Sequence, residues 1–417
     1  MHLLLIMRQV YYKYADHIKA LRNLGVYVHL ITEVASAEQD ALLASAHIIP
    51  YQSSQQSILA LAERIAKKYE IKAVMTFLEP DIILSAEVAE HLNLPGFEKE
   101  PALIARDKSK QRALLAKHNF PKPRHQEVTD VQEALDHFDD VFPVIVKPTQ
   151  AALSLGVRLV QNRIELKDAL TTLLRFSKEN MLHYHEDENP CFALIEDFLP
   201  GEEITLDGVV INGEFILGGI HNKRRNMGPT FEEDMYSLPF KMPQREQELA
   251  DIAAQICKAL KVKNALFNVE MRQDAEGQFK VLEFSTRLSG AFCYRHIRYV
   301  YALDMVSLYA KTLLGLPITP QEKIRLSPTM TTCTKWVHAT GTVIDNDAGS
   351  ARFSPYFEDY YLLAHPGTTL YGHPRDIGCV GRLSLYSPYH ELKDTLDLEQ
   401  HAHEIAKTLN IKLQPLP

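Results

Sequence analysis

Glu270, Glu283 and Arg287 lie close together in a stretch that is otherwise largely apolar. Residues 265–271 and 279–284 read as two strands joined by Gln273-Asp274-Ala275-Glu276-Gly277, the short Asp- and Gly-bearing link of a hairpin. Each strand carries one carboxylate, which is costly to bury in a strand interior unless a cation or partner meets it. Two of them on adjacent strands could hold Mg²⁺, which takes one or two carboxylates together with substrate phosphates. Arg287, just beyond the second strand, is a planar fork donor suited to a carboxylate or a phosphate. The plainer alternative is a pair of edge-strand glutamates and a solvated arginine, and these residues alone do not separate the two.

Other residues could meet an anion. Residues 143–147 form a buried strand that ends on Lys147, although a lysine in that place often snorkels to solvent instead. Residues 149–157, with Ser154 and Gly156, could form a loop over phosphates, a weak signal with so little glycine. The basic run HNKRRN, residues 221–226, is either a solvated loop or a set of cations facing phosphates. Glu79 and Asp81 follow a strand at its carboxyl end, where open sheets bind ligands, but a helix N-cap cluster is the preferred explanation of them.

The elements that must position these residues begin with alternation. Strands at 3–7, 26–31 and 72–77 alternate with helices at 15–24, 57–69 and 82–92, which implies a parallel sheet covered on both faces. No GxGxxG follows the first strand, so the dinucleotide fingerprint is absent. Residues 101–118 read as one helix, ended by Pro121 and Pro123, and a further helix covers 131–138. FALIEDFL, residues 192–199, reads as a strand. Strands at 202–210 and 214–218 flank Asn212-Gly213, a strong hairpin signal. Helices follow at 244–260 and 302–314. From residue 320 short strands and glycine-bearing turns suggest a small β-rich tail finished by a helix at 398–409.

The 417 residues, 46% apolar and 24% charged, suffice for two or three ordinary globular domains. A net charge of -8 argues against nucleic acid or an anionic membrane as the main partner. The 5 cysteines are far apart and include no CxxC pair, and the 18 histidines include no HExxH, so neither a disulfide framework nor a zinc site is expected. MHLLLIMRQ lacks the basic region and the long apolar run of a signal peptide, and no run approaches the roughly 18 apolar residues of a membrane span. The expected location is the cytoplasm.

Five motifs, in order, carry a family resemblance: LNLPGFEKEPALIARDKSKQRALLAKHNFPKP, VIVKP, IEDFLPGEEITLDG, FNVEM and VLEFSTRLSG. Together they resemble the ATP-grasp superfamily of carboxylate ligases along nearly the whole chain. The resemblance implies an α/β chain of the α+β ATP-grasp kind. Its parts would be a Rossmann-like N-terminal domain at 1–97 with an open parallel sheet, a nucleotide-binding and catalytic domain at 98–319, and a C-terminal β-rich domain at 320–417. It implies ATP and Mg²⁺ as cofactors, with Mn²⁺ as a substitute. Lys108 and Lys147 would touch the phosphates, beneath the loop carrying Ser154. Glu196, Asp197 and Leu199 would line the adenine, and Glu203 would hold the ribose. Glu270 and Glu283 would bind the metal. Arg287 would face the transferring phosphoryl group and the substrate carboxylate, with Lys223 or Arg225 also reaching the phosphates.

Two departures stand out. The family's third metal ligand, an asparagine two residues beyond the second glutamate, is Ser285 here, and the phosphate loop is poor in glycine. The implied activity is activation of a carboxylate as an acylphosphate and its transfer to an amine, releasing ADP and phosphate. WVHATGTV most resembles the tail of enzymes that join amino acids into dipeptides. A purine-pathway ligase or carboxylase, and a nucleotide-binding regulator without catalysis, are the alternatives. The partners are small molecules, with neither nucleic acid nor membrane, and pairing as a homodimer is left open.

Overall fold

The computed structural model describes residues 1–151, 154–178, 191–225, 231–290, 292–372 and 375–416, with backbone alone at Lys178 and Arg225. The chain opens with β1 (His2–Ile6), β2 (Tyr27–Thr32), β3 (Ser45–Ile48) and β4 (Ala73–Met75), a parallel sheet in the order β3-β2-β1-β4. Helices α1 (Ala15–Asn23), α2 (Gln55–Tyr69) and α3 (Ile82–His91) connect and cover it. Alternate residues of β1 serve opposite faces: Leu3 and Leu5 pack with Ile18 and Leu21 of α1, whereas Leu4 and Ile6 pack with Ile58, Ala62 and Ile65 of α2. That two-sided burial is why the strand reads as a continuous apolar run. The strand β3 has no counterpart in the sequence reading, because Ser45-Ala46-His47-Ile48 is short and half polar.

The helix expected at 101–118 is two helices, α4 (Lys99–Ala105) and α5 (Lys108–Lys117). Asp107 breaks them apart by capping α5: its carboxylate accepts the Ser109 backbone N–H at 2.8 Å. An antiparallel sheet follows, in the order β5-β8-β6-β7, made of β5 (His125–Val128), β6 (Val144–Pro148), β7 (Arg158–Val160) and β8 (Ala193–Asp197). It packs against α6 (Val131–Asp136) and α7 (Arg163–Lys178) through Val146, Val160, Leu166 and Leu170.

The largest sheet is built on β9 (Glu203–Ile211), β10 (Glu214–Arg225), β11 (Glu233–Leu238), β12 (Ala265–Gln273) and β13 (Phe279–Ser285). Every residue of β9 is buried. Ile204, Leu206 and Val210 pack with Leu249, Ala253 and Ile256 of α8 (Glu246–Ala259), while Val209 and Ile211 belong to the core on the other side. Strand β10 is much longer than expected and absorbs the basic run, so Lys223 sits in a strand and the solvated-loop alternative is overturned. Asn226 lies outside the described residues.

The helix expected at 302–314 is α10 (Met305–Leu313), preceded by an unforeseen α9 (Cys293–Tyr301); Ala302, at φ 55°, turns the chain between them. Both helices press on β10 at Gly218 and Gly219. A Cβ on Gly218 would sit 2.3 Å from the Met305 sulfur. The tail adds β14 (Met330–His338), β15 (Gly341–Asp347), β16 (Phe357–Leu362), β17 (Thr369–Leu370), β18 (Cys379–Pro388), α11 (Thr395–Ala406) and β19 (Asn410–Gln414). Its strands β14, β18 and β16 extend the large sheet into the eight-stranded order β13-β12-β9-β10-β11-β14-β18-β16, and β17-β15-β19 form a small sheet of their own. The chain closes on β19 rather than on its last helix. Among the described residues no helix is long and apolar enough to cross a membrane.

Candidate active site

The hairpin of β12 and β13 places Glu270 directly opposite Glu283. Like charges in that relation repel, and each is met by a lysine. Lys108 Nζ lies 2.7 Å from Glu283, and Lys223 Nζ lies 2.7 Å from Glu270. Lys108 reaches there because the Asp107 cap makes it the first residue of α5; it also donates to the Ala151 carbonyl at 2.9 Å. Burial alone would raise the Glu283 carboxyl, but Lys108, Lys147 and Lys223 hold it at about 2.

A second group lies across the antiparallel sheet. Lys147, at the end of β6, and Arg112, from α5, both engage Glu196 of β8, at 2.7 and 2.6 Å. Burial pulls the Lys147 ammonium down to about 8 against the opposing charge of Glu196, and the Glu196 carboxyl, despite burial, is held at about 2 by Arg112 and Lys147. Lys147 also donates to the Leu282 carbonyl beside Glu283. Glu203, at the start of β9, meets Lys223 at 3.1 Å and Arg272 at 3.3 Å.

A third group centres on Glu79. Its carboxylate meets Arg287 Nε at 2.5 Å, pairs with Arg106 and accepts the Ser285 hydroxyl at 2.6 Å. Burial works against that charge, yet Arg287 and Arg106 hold the carboxyl at about 2. Arg287, partly buried, has its pKa raised above the usual arginine value by Glu79, against the effect of burial. The N-cap explanation of Glu79 and Asp81 is therefore wrong: neither side chain caps a helix, and Asp81 binds Arg8 at 2.6 Å. The useful signal was their position at the carboxyl end of β4.

Lys108, Lys147, Ser154, Glu196, Asp197, Leu199, Glu203, Glu270, Glu283, Ser285 and Arg287 all line one cavity of about 480 Å³. Lys223 stands behind it, in contact with Glu270, Glu203 and Glu233. The Arg225 side chain lies outside the described residues. Sequence reasoning did not assign Arg106, Arg112, Tyr14 or Arg382 to the site: Arg106 and Arg112 lie in the first of the five motifs, at the α4–α5 break and in α5, but without a partner in view, and Tyr14 and Arg382 come from distant segments with no local motif.

The facing pair Glu270 and Glu283, on the cavity wall and partly exposed, is a donor set that fits a hard divalent cation. Deeper in, Asp207, His221 and Cys293 bring one ligand atom each within 4.8 Å of one another. Burial drives all three toward their neutral forms, pushing the Asp207 carboxyl up to about 7, the imidazole well below its usual value and the thiol well above.

Residues 140–295 match the ATP-grasp domain family, and residues 18–96 match the ATP-grasp N-terminal domain family. Together these matches cover more than half of the chain, and the protein belongs to the ATP-grasp superfamily. Among relatives, it is 24% identical over 278 residues to alanine–anticapsin ligase of Bacillus subtilis (strain 168), covering 63% of this chain and 58% of that protein. It is 25% identical over 315 residues to carnosine synthase 1 of Gallus gallus, covering 72% of this chain and 34% of that protein. The chain thus spans less than two thirds of the length of either relative. The L-amino acid ligase from Bacillus licheniformis has the same fold, with a TM-score of 0.86 at 19% identity, covering 99% of this chain and 98% of that one.

Proposed function

We propose that the protein is an ATP-dependent carboxylate–amine ligase that joins amino acids through an acylphosphate. The observation that carries this reading is the facing pair Glu270 and Glu283, gathered in one cavity with Lys108, Lys147 and Arg287. Its relatives alanine–anticapsin ligase and carnosine synthase support the amino-acid assignment.

A carboxylate is a poor electrophile because its leaving group would be oxide. Transfer of the γ-phosphoryl group of ATP to a carboxylate oxygen supplies a better one, phosphate. Such a transfer needs positioning and charge neutralisation more than a protein nucleophile. In our assignment Lys108 and Lys147 hold the phosphates, with Ser154 in the covering loop. The backbone at Glu196, Asp197 and Leu199 receives the adenine, and Glu203 accepts the ribose hydroxyls. Lys223 orders Glu270 and Glu203, and Arg225 remains the alternative phosphate contact.

Glu270 and Glu283 would hold Mg²⁺, or Mn²⁺ in its place, and the Ser285 hydroxyl, which donates its proton to Glu79, keeps oxygen lone pairs with which it could join them. When bound, the metal would neutralise phosphate charge. Arg287 holds the substrate carboxylate and then the acylphosphate, with its guanidinium fixed by Glu79. The amine nitrogen next bonds to the acyl carbon, the carbon–oxygen bond to phosphate breaks, and the amine gives up a proton. We place the domain boundaries at 97/98 and 319/320; the eight-stranded sheet crosses the second between β11 and β14.

The test is release of ADP and phosphate over a matrix of carboxylates and amines with Mg²⁺ and ATP. Turnover that requires both substrates is expected. Turnover with no pair, or AMP as the product, contradicts the reading.

A further inference from the structure

The cavity contains more cationic side chains than its phosphate-facing wall uses. Lys108, Lys147, Arg106, Arg272, Arg287 and Arg295 line it, and each is ion-paired to a carboxylate. Two further lining cations, Arg382 and Lys13, have no ion pair among the described residues. The carboxylates on nearby elements do not serve them: Asp16 and Asp359 both engage Arg295, at 2.6 and 3.1 Å.

Arg382 is held in place with care. It stands on β18 in register with Trp336 of β14 and Tyr361 of β16, so the three side chains share one face of the sheet. Its guanidinium carbon lies 5.6 Å from the Phe292 ring centre, 6.0 Å from Trp336 and 5.8 Å from Tyr361. Aromatic rings can satisfy the faces of a guanidinium, but its N–H donors radiate from the edge and need acceptors. Arg382 Nε is buried and has no hydrogen-bond partner among the described residues. A fork fixed by rings, carrying a buried unmet donor beside a cavity, is prepared for a planar anion.

Its position relative to the reacting centre narrows the anion. The charges of Arg287 and of Arg382 both act on the Tyr14 hydroxyl, whose own proton burial makes harder to lose. Tyr14, Arg287 and Arg382 all line the one cavity. Lys13, the neighbour of Tyr14 in sequence, is close enough to Arg382 for the two charges to repel. On the ligase reading the phosphates occupy the wall of Lys108 and Lys147, which leaves the part of the same cavity lined by Lys13, Tyr14 and Arg382 for the amine substrate.

We propose that Arg382, assisted by Lys13, binds the carboxylate of the amine substrate, so that the acceptor is an amino acid in its free-acid form rather than a simple amine. This rests on the ligase reading above and adds a selectivity to it. The carboxylate would accept from the edge of the Arg382 fork, with its body against Trp336 and Phe292.

The experiment compares free amino acids, their carboxamides and hydroxylamine as acceptors, in the parent and in Arg382→Met, Arg382→Lys and Lys13→Met. The parent is expected to prefer free acids to carboxamides. Arg382→Met should raise KM for free acids about 10- to 100-fold, the range for a lost charge-assisted contact. That loss should be at least tenfold larger than any change seen with hydroxylamine, and should fall on KM more than on kcat. Arg382→Lys should recover part of the affinity, and Lys13→Met should show a smaller loss in the same direction. Equal use of acids and carboxamides by the parent would overturn the proposal, as would an equal loss with hydroxylamine. If the parent makes no hydroxamate from any carboxylate, the ligase reading itself fails, a result distinct from lost selectivity.

Discussion

At the β6 and β13 wall of the cavity Lys147 rests on Glu196 and Lys108 on Glu283, and behind it Lys223 rests on Glu270 and Glu203. At the β18 wall Arg382 rests on aromatic rings, and neither it nor Lys13 meets a carboxylate among the described residues. The first wall is neutralised in advance. On the proposed reading, a polyphosphate arriving there would exchange ion pairs rather than fill a void of charge; the existing pairs keep those lysines ordered and protect buried carboxylates from standing alone. The second wall is left charged, so its selectivity comes from supplying the missing anion. The contrast suggests that the first wall is built for a ligand that arrives with its own cation, and the second for one that does not.

The paired wall should break hardest at Glu283 and Arg287, the residues proposed to meet the metal and the phosphoryl group. Glu283→Gln should keep the fold, judged by thermal melting, and lose Mg²⁺-dependent turnover, because an amide cannot offset metal and phosphate charge as a carboxylate does. Normal turnover at saturating ATP would take Glu283 out of the site. Arg287→Ala should lower kcat by about 10²–10³, the loss typical of one donor to a transition-state oxyanion. Arg287→Lys should recover little, since a point charge cannot reproduce the fork. A kcat within about threefold of the parent in both variants, small on the scale where 1.36 kcal/mol is tenfold, would move the reacting centre elsewhere.

Smaller effects test how the wall is organised. Glu79→Gln leaves Arg287 and Arg106 without their shared carboxylate and should cost about 10- to 100-fold in kcat/KM, within the range for stranding a buried charge. An unchanged value would show that Arg287 needs no orienting partner. Glu203→Ala should weaken ATP binding more than binding of the carboxylate substrate; calorimetry showing equal losses would refute the ribose assignment.

The gentlest probe is pH. The Lys147 ammonium, lowered by burial to about 8, is charged below that pH and loses its proton above it. Bound phosphate would favour the charged form, so ATP affinity should be flat between about pH 7 and 8, above the range near 6 where a phosphate itself gains a proton. Above about pH 8 it should fall by at most about tenfold per unit, as binding comes to require proton uptake. Lys147→Arg should flatten the profile, and an unaltered decline in that variant would assign the titration to another group.

The paired wall was legible in the chain because its residues sit on motifs with local grammar. The two glutamates flank a turn, Lys147 ends an apolar strand, and Glu196 precedes a Pro-Gly step. The β18 wall was not legible. Of its residues Tyr14, Phe292, Trp336 and Arg382, from segments far apart in sequence, only Trp336 lay in a run the sequence singled out, WVHATGTV, and an arginine without a carboxylate partner is defined only by its surroundings. Glu79 fell between the two cases. Its strand-end position was visible, but the partners that decide its role, Arg287 and Ser285, lie at the other end of the ATP-grasp region. The break at Asp107 was missed for a local reason: the capping aspartate lies inside a continuous helical pattern, and only the cap puts Lys108 at a helix start.

The central claim is that the carboxylate is activated by phosphoryl transfer beside Glu283 and Arg287. Its most direct test uses a carboxylate substrate labelled with ¹⁸O in both oxygens, turned over with ATP and an amine, with mass analysis of the released phosphate. The account predicts that one labelled oxygen passes from the carboxylate into inorganic phosphate, because the carbon–oxygen bond breaks when the amine attacks. Unlabelled phosphate, or label recovered in AMP, would contradict it.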